Sequence, residues 1–197
     1  MTLGYLDHDE ETRRLLPAFD QSMFQLEAGG LPRAGRLCLA LACCEGVMPF
    51  LRDAKANAVL LPGEQRAWLD HAWEAVRLGD LAQAWRDRGE RASDLAQAIM
   101  ETQPGGASPA VEALVCIGMT LNAFDAPEPD CVFLATQVAE TCLGAHALSM
   151  GRRLDDDHGH QGIQRELRRQ RRLMMSLSAS RHEGSAGMVA ASRFPVT

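Results

Sequence analysis

The sequence predicts an all-α fold, a compact single-domain bundle of about seven helices. Apolar residues recur at three- and four-residue spacing along most of the chain. Strand signals are nearly absent: β-branched and aromatic residues are sparse, and no period-2 alternation persists. A chain of 197 residues with 46% hydrophobic content is long enough to bury one sizeable core. The predicted domain spans residues 1–177, followed by a flexible tail over 178–197.

An opening helix starts near Asp9, with Glu10 and Glu11 in its first turn where they complement the helix dipole. Pro17 interrupts it, and Phe19, Met23 and Leu26 continue an apolar face as far as Gly29-Gly30. Pro32 then introduces RAGRLCLALACCEGVMPFLRDA, in which Leu37, Leu41, Cys44, Met48 and Leu51 repeat at helical spacing. Because this run is apolar nearly all round, it is predicted to be a central helix.

Pro62 introduces the next helix, whose face is Trp68, Leu69, Ala72, Trp73 and Val76 and which Gly79 stops. Two shorter segments are expected after it, DLAQAWRDR and ERASDLAQAIMETQ, divided by Gly89. Ser108 before Pro109 is a favourable N-cap with proline at the first helical position, and PAVEALVCIGMTLNAF is again a core helix. Asp130 is predicted to cap the helix CVFLATQVAETCLGAHALSMG. Residues 161–177 make a last helix with Ile163, Leu167, Met174 and Leu177 inward and arginines outward.

The formal net charge is −6, unevenly spread. Residues 152–172 hold seven arginines against four acids, and the last 25 residues add one net positive charge, so residues 1–151 carry −10. An acidic body precedes a basic C-terminal segment. All six cysteines (Cys38, Cys43, Cys44, Cys116, Cys131, Cys142) fall in apolar, alanine-rich runs, where cysteine acts as a small core hydrophobe. With no Cys-x-x-Cys pair and no signal-like start, a reduced cytoplasmic protein is expected. Runs such as LCLALACC fall short of about 18 residues, so no membrane association is expected.

The most chemically suggestive stretch is DDDHGHQ at 155–161. Carboxylates and imidazoles bind divalent metals, but His158 and His160 are two apart around Gly159 and share no helix face. The stretch is therefore expected to be a solvated loop, its aspartates preceding a helix N-terminus. His8 and His71 lack a ligand set, and His146 sits among small apolar residues as a hydrogen-bonded interior histidine. A carboxylate beside Cys43-Cys44 disfavours a thiolate, which opposes nucleophilic use. Glu45 and Glu112 lie in apolar helices and need partners; Arg36 or an arginine of the last helix is the expected one. The basic helix is expected to pack beside the acidic body. No phosphate-binding glycine loop, Gly-x-Ser-x-Gly or Walker motif occurs.

These residues carry a resemblance. LPRAGRLCLALACCEGVMPFL resembles the second helix of the bacterial YjaG-like family (domain of unknown function 416), with its Cys-Glu and a proline four residues on at Cys44, Glu45 and Pro49. SPAVEALVCIGMTL is similar to a later core helix of that family through Pro109, Ala110 and Glu112, and Glu166 and Gln170 keep the spacing of its final helix. Tryptophans of that helix are replaced here by Leu167 and Arg171, and the tail after Ser178 departs from the family's ending. The resemblance covers most of residues 31–177 and implies a compact all-α fold without an assigned activity.

The expected function is a non-catalytic helical protein-binding module, most concretely a cytoplasmic immunity protein that neutralises a bacterial toxin. Its partner is another protein, such as a basic toxin domain, steered by the acidic body. The contact is assigned to Asp70, Glu74 and Asp80, and a buried polar cluster to Glu45, Glu112, Glu166 and Gln170. No catalytic residue, metal or cofactor is assigned, nucleic acid is not the expected partner, and a homodimer is left open. Two alternatives stand beside this reading. One is a metal-dependent helical enzyme using Glu45, Glu112, Glu166 and His146 or His158. The other is a nucleic-acid-binding regulator using Arg152–Arg172.

Overall fold

The computed structural model describes residues 21–53, 62–81, 85–102, 108–151 and 158–193. Among them are eight helices and no strand, packed as one bundle. The helices are α1 (Gln21–Gly29), α2 (Arg33–Asp53), α3 (Pro62–Leu78), α4 (Arg86–Thr102), α5 (Pro109–Asp125), α6 (Glu128–Gly151), α7 (His158–Ala179) and α8 (Gly184–Arg193). The opening helix near Asp9 and Pro17 lies outside the described residues.

α2 is central, as its composition predicts. Every residue from Leu37 to Cys44 is buried, so the helix is covered on all sides, by α3, α5, α6, α7 and α8. Both α2 and α6 are long and apolar enough to cross a membrane, with mean hydropathy 1.5 and 1.3, which the short runs quoted above did not suggest. In this structure most of that apolar surface faces neighbouring helices.

The predicted inner face of α3 is the observed one: Trp68, Leu69, Ala72, Trp73 and Val76 are all buried. Gly79 ends the helix with φ +71, and its N–H reaches Val76 O while Asp80 N–H reaches Ala75 O. That pair of bonds is a Schellman stop, which needs the left-handed backbone that glycine adopts without a Cβ penalty. Ser108 caps α5 through its Oγ, which accepts from Val111 N at 3.3 Å, with Pro109 at the first helical position. The far end of α5 is closed by Arg33, whose Nη2 donates to Phe124 O at 2.8 Å and Ala123 O at 3.2 Å.

Several expectations are corrected. The inward residues of α1 are Phe24 and Ala28, whereas Met23 and Leu26 are exposed, because one turn of helix separates the two that pack. Residues 86–102 form one helix rather than two segments split at Gly89. A Cβ on Gly89 would stand 2.2 Å from Asn122 Oδ1 and 3.2 Å from Gly118 O, so this glycine lets α4 and α5 approach and does not break α4. α6 begins at Glu128, which places Asp130 in its first turn instead of at the cap. Residues 178–193, assigned to the tail, hold the end of α7, a turn and α8 as far as Arg193. Met188 and Val189 of α8 are buried against the core formed with α2, α3 and α7, which offsets the ordering entropy of the segment.

Ile163, Leu167, Met174 and Leu177 point inward on α7, as predicted. They serve two clusters: Leu173, Met174 and Leu177 join the main core, while Ile163 and Leu167 pack with Leu143 and Ala147 of α6 in a smaller one. Glu166, beside Leu167, and Gln170, between the two stretches of α7, are also buried.

Candidate functional site

The place where chemically competent side chains converge is the seam between α2, α6 and α7. Glu166 projects from α7 and is 5% exposed. Its Oε1 accepts from Gln170 Nε2 at 3.1 Å, one turn on, and from Cys142 Sγ at 3.4 Å across on α6. Arg169 clasps both oxygens, Nε to Oε2 and Nη2 to Oε1, each at 2.6 Å. Cys142 Sγ also donates to Cys43 O of α2 at 3.5 Å. One turn beyond Cys142, His146 Nε2 stands 3.9 Å from Glu166 Oε2, and its ring lies edge-on to Phe50 at 5.1 Å. Ligand atoms of Cys43, Cys142 and Glu166 all lie within 4.8 Å of one another.

The electrostatics follow from burial. The Cys142 thiol is pushed well above its ordinary value by its hydrogen bond with Cys43, by desolvation and by Glu166. His146 is lowered, chiefly by burial, with Glu166 opposing and Arg169 adding to the effect. The site in this form is two thiols, a neutral imidazole and a carboxylate matched by a guanidinium. Two buried polar atoms beside it have no hydrogen-bond partner among the described residues: His146 Nε2 and Gln170 Oε1. His146 was expected to be hydrogen-bonded, and its Nε2 has no such partner among the described residues.

Glu166 and Gln170 meet as part of the predicted polar cluster, but Glu45 and Glu112 make no hydrogen bond to them. Glu45 is paired instead with α3: Arg66 Nη1 donates to its Oε2 at 2.5 Å and Trp73 Nε1 to its Oε1 at 3.0 Å. The expected partner Arg36 is engaged elsewhere, with Glu128 of α6, because the α2 turn that carries it faces α6 and not α3. Glu112 is 3% exposed and has no hydrogen bond or ion pair to its carboxyl among the described residues. Desolvation alone pushes that carboxyl up to about 7.

Asp70, Glu74 and Asp80 are exposed along and just beyond α3. Asp70 is bound by Arg66 at 2.5 Å and Glu74 by Arg77 at 2.5 Å, so the acidity of this edge is largely compensated from its own helix. Four of the five arginines of α7 point outward, as predicted. Arg165, Arg168, Arg171 and Arg172 are exposed, and no carboxylate pairs with them among the described residues; only Arg169 turns inward. Of DDDHGHQ, Asp155–Asp157 and the side chains of His158 and His160 lie outside the described residues. The backbone from His158 to His160 is the first turn of α7 rather than a loop.

The cysteines are the residues that sequence reasoning missed. All six are free and buried, as core packing requires, but Cys43 and Cys142 face a carboxylate and not only aliphatic neighbours. The spacing Cys142-x-x-x-His146, an i, i+4 pair on one helix face, was the available signal.

Fold and site together define an all-α helical bundle with a sealed thiol–carboxylate seam. No family model, no curated protein and no solved structure matches the chain.

Proposed function

We propose that the protein is a non-catalytic helical binding module, most concretely a cytoplasmic immunity protein that neutralises a bacterial toxin with a basic surface. The observation that supports this reading is the segregation of the described polar groups. The carboxylate and thiols that converge do so inside the bundle, where Glu166 is 5% exposed. The groups offered to a partner stand on rigid helical edges, with Asp70 and Glu74 held by arginines of their own helix. A pre-ordered polar edge gives up little side-chain entropy on docking. The resemblance to the YjaG-like family belongs to the same proposal; Cys44, Glu45 and Pro49 stand on α2, Pro109, Ala110 and Glu112 open α5, and Glu166 and Gln170 are hydrogen-bonded on α7.

The test is capture of a partner with tagged protein, followed by reconstitution of the complex from the two purified chains. The triple reversal D70K/E74K/D80K is expected to weaken that complex at least about tenfold, mainly through the association rate. An affinity unchanged by the reversal would remove this edge from the interface.

A second reading is favoured by a specific observation, the exposed arginines of α7. Arg165, Arg168 and Arg172 follow one face, Arg171 flanks it, and none is neutralised by a described carboxylate. Such a stripe suits a phosphate backbone, and a regulator of nucleic acid using it would bind with an affinity that falls steeply with salt. Binding of a random-sequence duplex that is lost in R165E/R168E/R172E would move the assignment to this reading. No binding at low salt would retire it.

A further inference from the structure

We propose that Cys43, Cys142 and Glu166, with His146 completing the set, bind one thiophilic divalent cation of the zinc class in the seam between α2, α6 and α7. The inference is independent of the binding partner proposed above, and concerns a structural ion.

Donor chemistry comes first. Two thiols, a carboxylate and an imidazole are the mixed sulfur, oxygen and nitrogen set that zinc takes tetrahedrally, and soft sulfur ligands select against magnesium and calcium. Three helices supply them, with Cys142 and His146 one turn apart on α6. Zinc bonds of about 2.3 Å to sulfur and about 2.0 Å to oxygen put the sulfur and oxygen of a tetrahedral site about 3.5 Å apart. Cys142 Sγ and Glu166 Oε1 are 3.4 Å apart. Ligand atoms of Cys43, Cys142 and Glu166 lie within 4.8 Å of one another, and His146 Nε2 stands 3.9 Å from Glu166 Oε2, on the rim of that group.

Charge balance supplies the second argument, and it accounts for Arg169. Without an ion the seam is neutral: two thiols, one carboxylate and one guanidinium. On binding, two sulfur–metal bonds form, two S–H bonds break, and both protons leave to solvent. Two thiolates and Glu166 then carry −3, Arg169 contributes +1, and a divalent cation cancels the remainder. A buried site is thus neutral in both states, which avoids the penalty that an uncompensated interior charge would impose. Arg169 stays on Glu166 as the group that orients a ligand from behind. Gly46 leaves it room, since a Cβ there would lie 3.0 Å from Arg169 Nη2.

The third observation is independent of the donors' proximity. His146 Nε2 and Gln170 Oε1 are buried polar atoms with no hydrogen-bond partner among the described residues, on side chains adjoining Glu166, and Gln170 is 1% exposed. Two unsatisfied polar atoms on side chains next to one buried carboxylate are unusual in a packed interior. A cation would engage the first directly.

The test uses the full chain, stripped with chelator under reductant and titrated with Zn2+ against a chromophoric chelator. A parallel titration uses Cd2+, read by its ultraviolet thiolate charge-transfer band. One ion per chain is expected, with a band of two-thiolate intensity and a rise in melting temperature. Cys43→Ser and Cys142→Ser are each expected to lower affinity at least about 100-fold, whereas Cys131→Ser, removed from the seam, leaves it unchanged. Absence of a band and of stoichiometric Zn2+ in the unaltered chain overturns the proposal whether or not the variants fold. So does a band that persists in both serine variants, which would place the ion on other cysteines.

Discussion

Glu112→Gln is expected to stabilise the protein above neutral pH and to do nothing in acid. The carboxyl is 3% exposed in the first turn of α5, without a described partner, and burial raises it from 4.5 to about 7. Folded protein therefore holds this proton over a range where the unfolded chain has released it. Stability contributed by the retained proton is fully present below about 4.5, falls as pH rises through the window up to about 7, and is lost above it. At about 1.4 kcal/mol per tenfold change in proton affinity, the loss is on the order of 3 kcal/mol by pH 8. The first-turn position favours the charged form by about 0.3–1 kcal/mol, too little to reverse the sign. Glutamine keeps the shape of the protonated acid and does not titrate. The variant should match the parent near pH 4.5 and exceed it by about 2–3 kcal/mol at pH 8, equivalent to roughly 4–12 °C in Tm for a chain of this size. Urea unfolding followed by circular dichroism, under reductant and at five pH values, measures the difference directly. A difference between the two proteins that stays flat across this range would show that the carboxylate is well solvated or paired when charged, and would refute the reasoning.

Three further outcomes are expected. Gly89→Ala gains helix propensity of about 1 kcal/mol, but its Cβ must displace Asn122 and sits 3.2 Å from the Gly118 carbonyl, so a net loss of roughly 1–2 kcal/mol in urea is predicted; a stabilised variant would restore Gly89 to the role of a mere weak point in α4. Arg33→Met removes both donors from the C-terminus of α5 and should cost about 1–2 kcal/mol, with faster amide exchange confined to the last turn of that helix. Met188→Ala should cost about 2–4 kcal/mol, since the side chain is 2% exposed in the core; a negligible effect would return residues 184–193 to the status of a tail.

How much was legible depends on whether the information is local. The inner face of α3 was readable because Trp68, Leu69, Ala72, Trp73 and Val76 repeat at the helical period, and period alone decides which residues share a face. The Ser108 cap and the Gly79 stop were readable for the same reason: each acts within one turn of the backbone. α1 was misjudged because nine residues hold too few repeats to distinguish the Phe24–Ala28 face from one through Met23 and Leu26. Gly89 was misread because a glycine that breaks a helix and a glycine that admits a neighbouring helix look alike until the neighbour is present.

By itself, then, the sequence determined the all-α class, the core places of α2 and α5 and the inward faces of α3 and α7, all consequences of apolar periodicity and burial. Only the tertiary structure decided the partners. It gave Glu45 to Arg66 and Trp73, buried Glu112 without a partner among the described residues, turned Arg169 in to Glu166, and set Cys43 against Cys142 across 99 residues of chain. Hydrophobic burial is non-directional and can be read one residue at a time, whereas a hydrogen bond or a ligand set requires two or more groups at a defined distance. That distance is a property of how the helices pack.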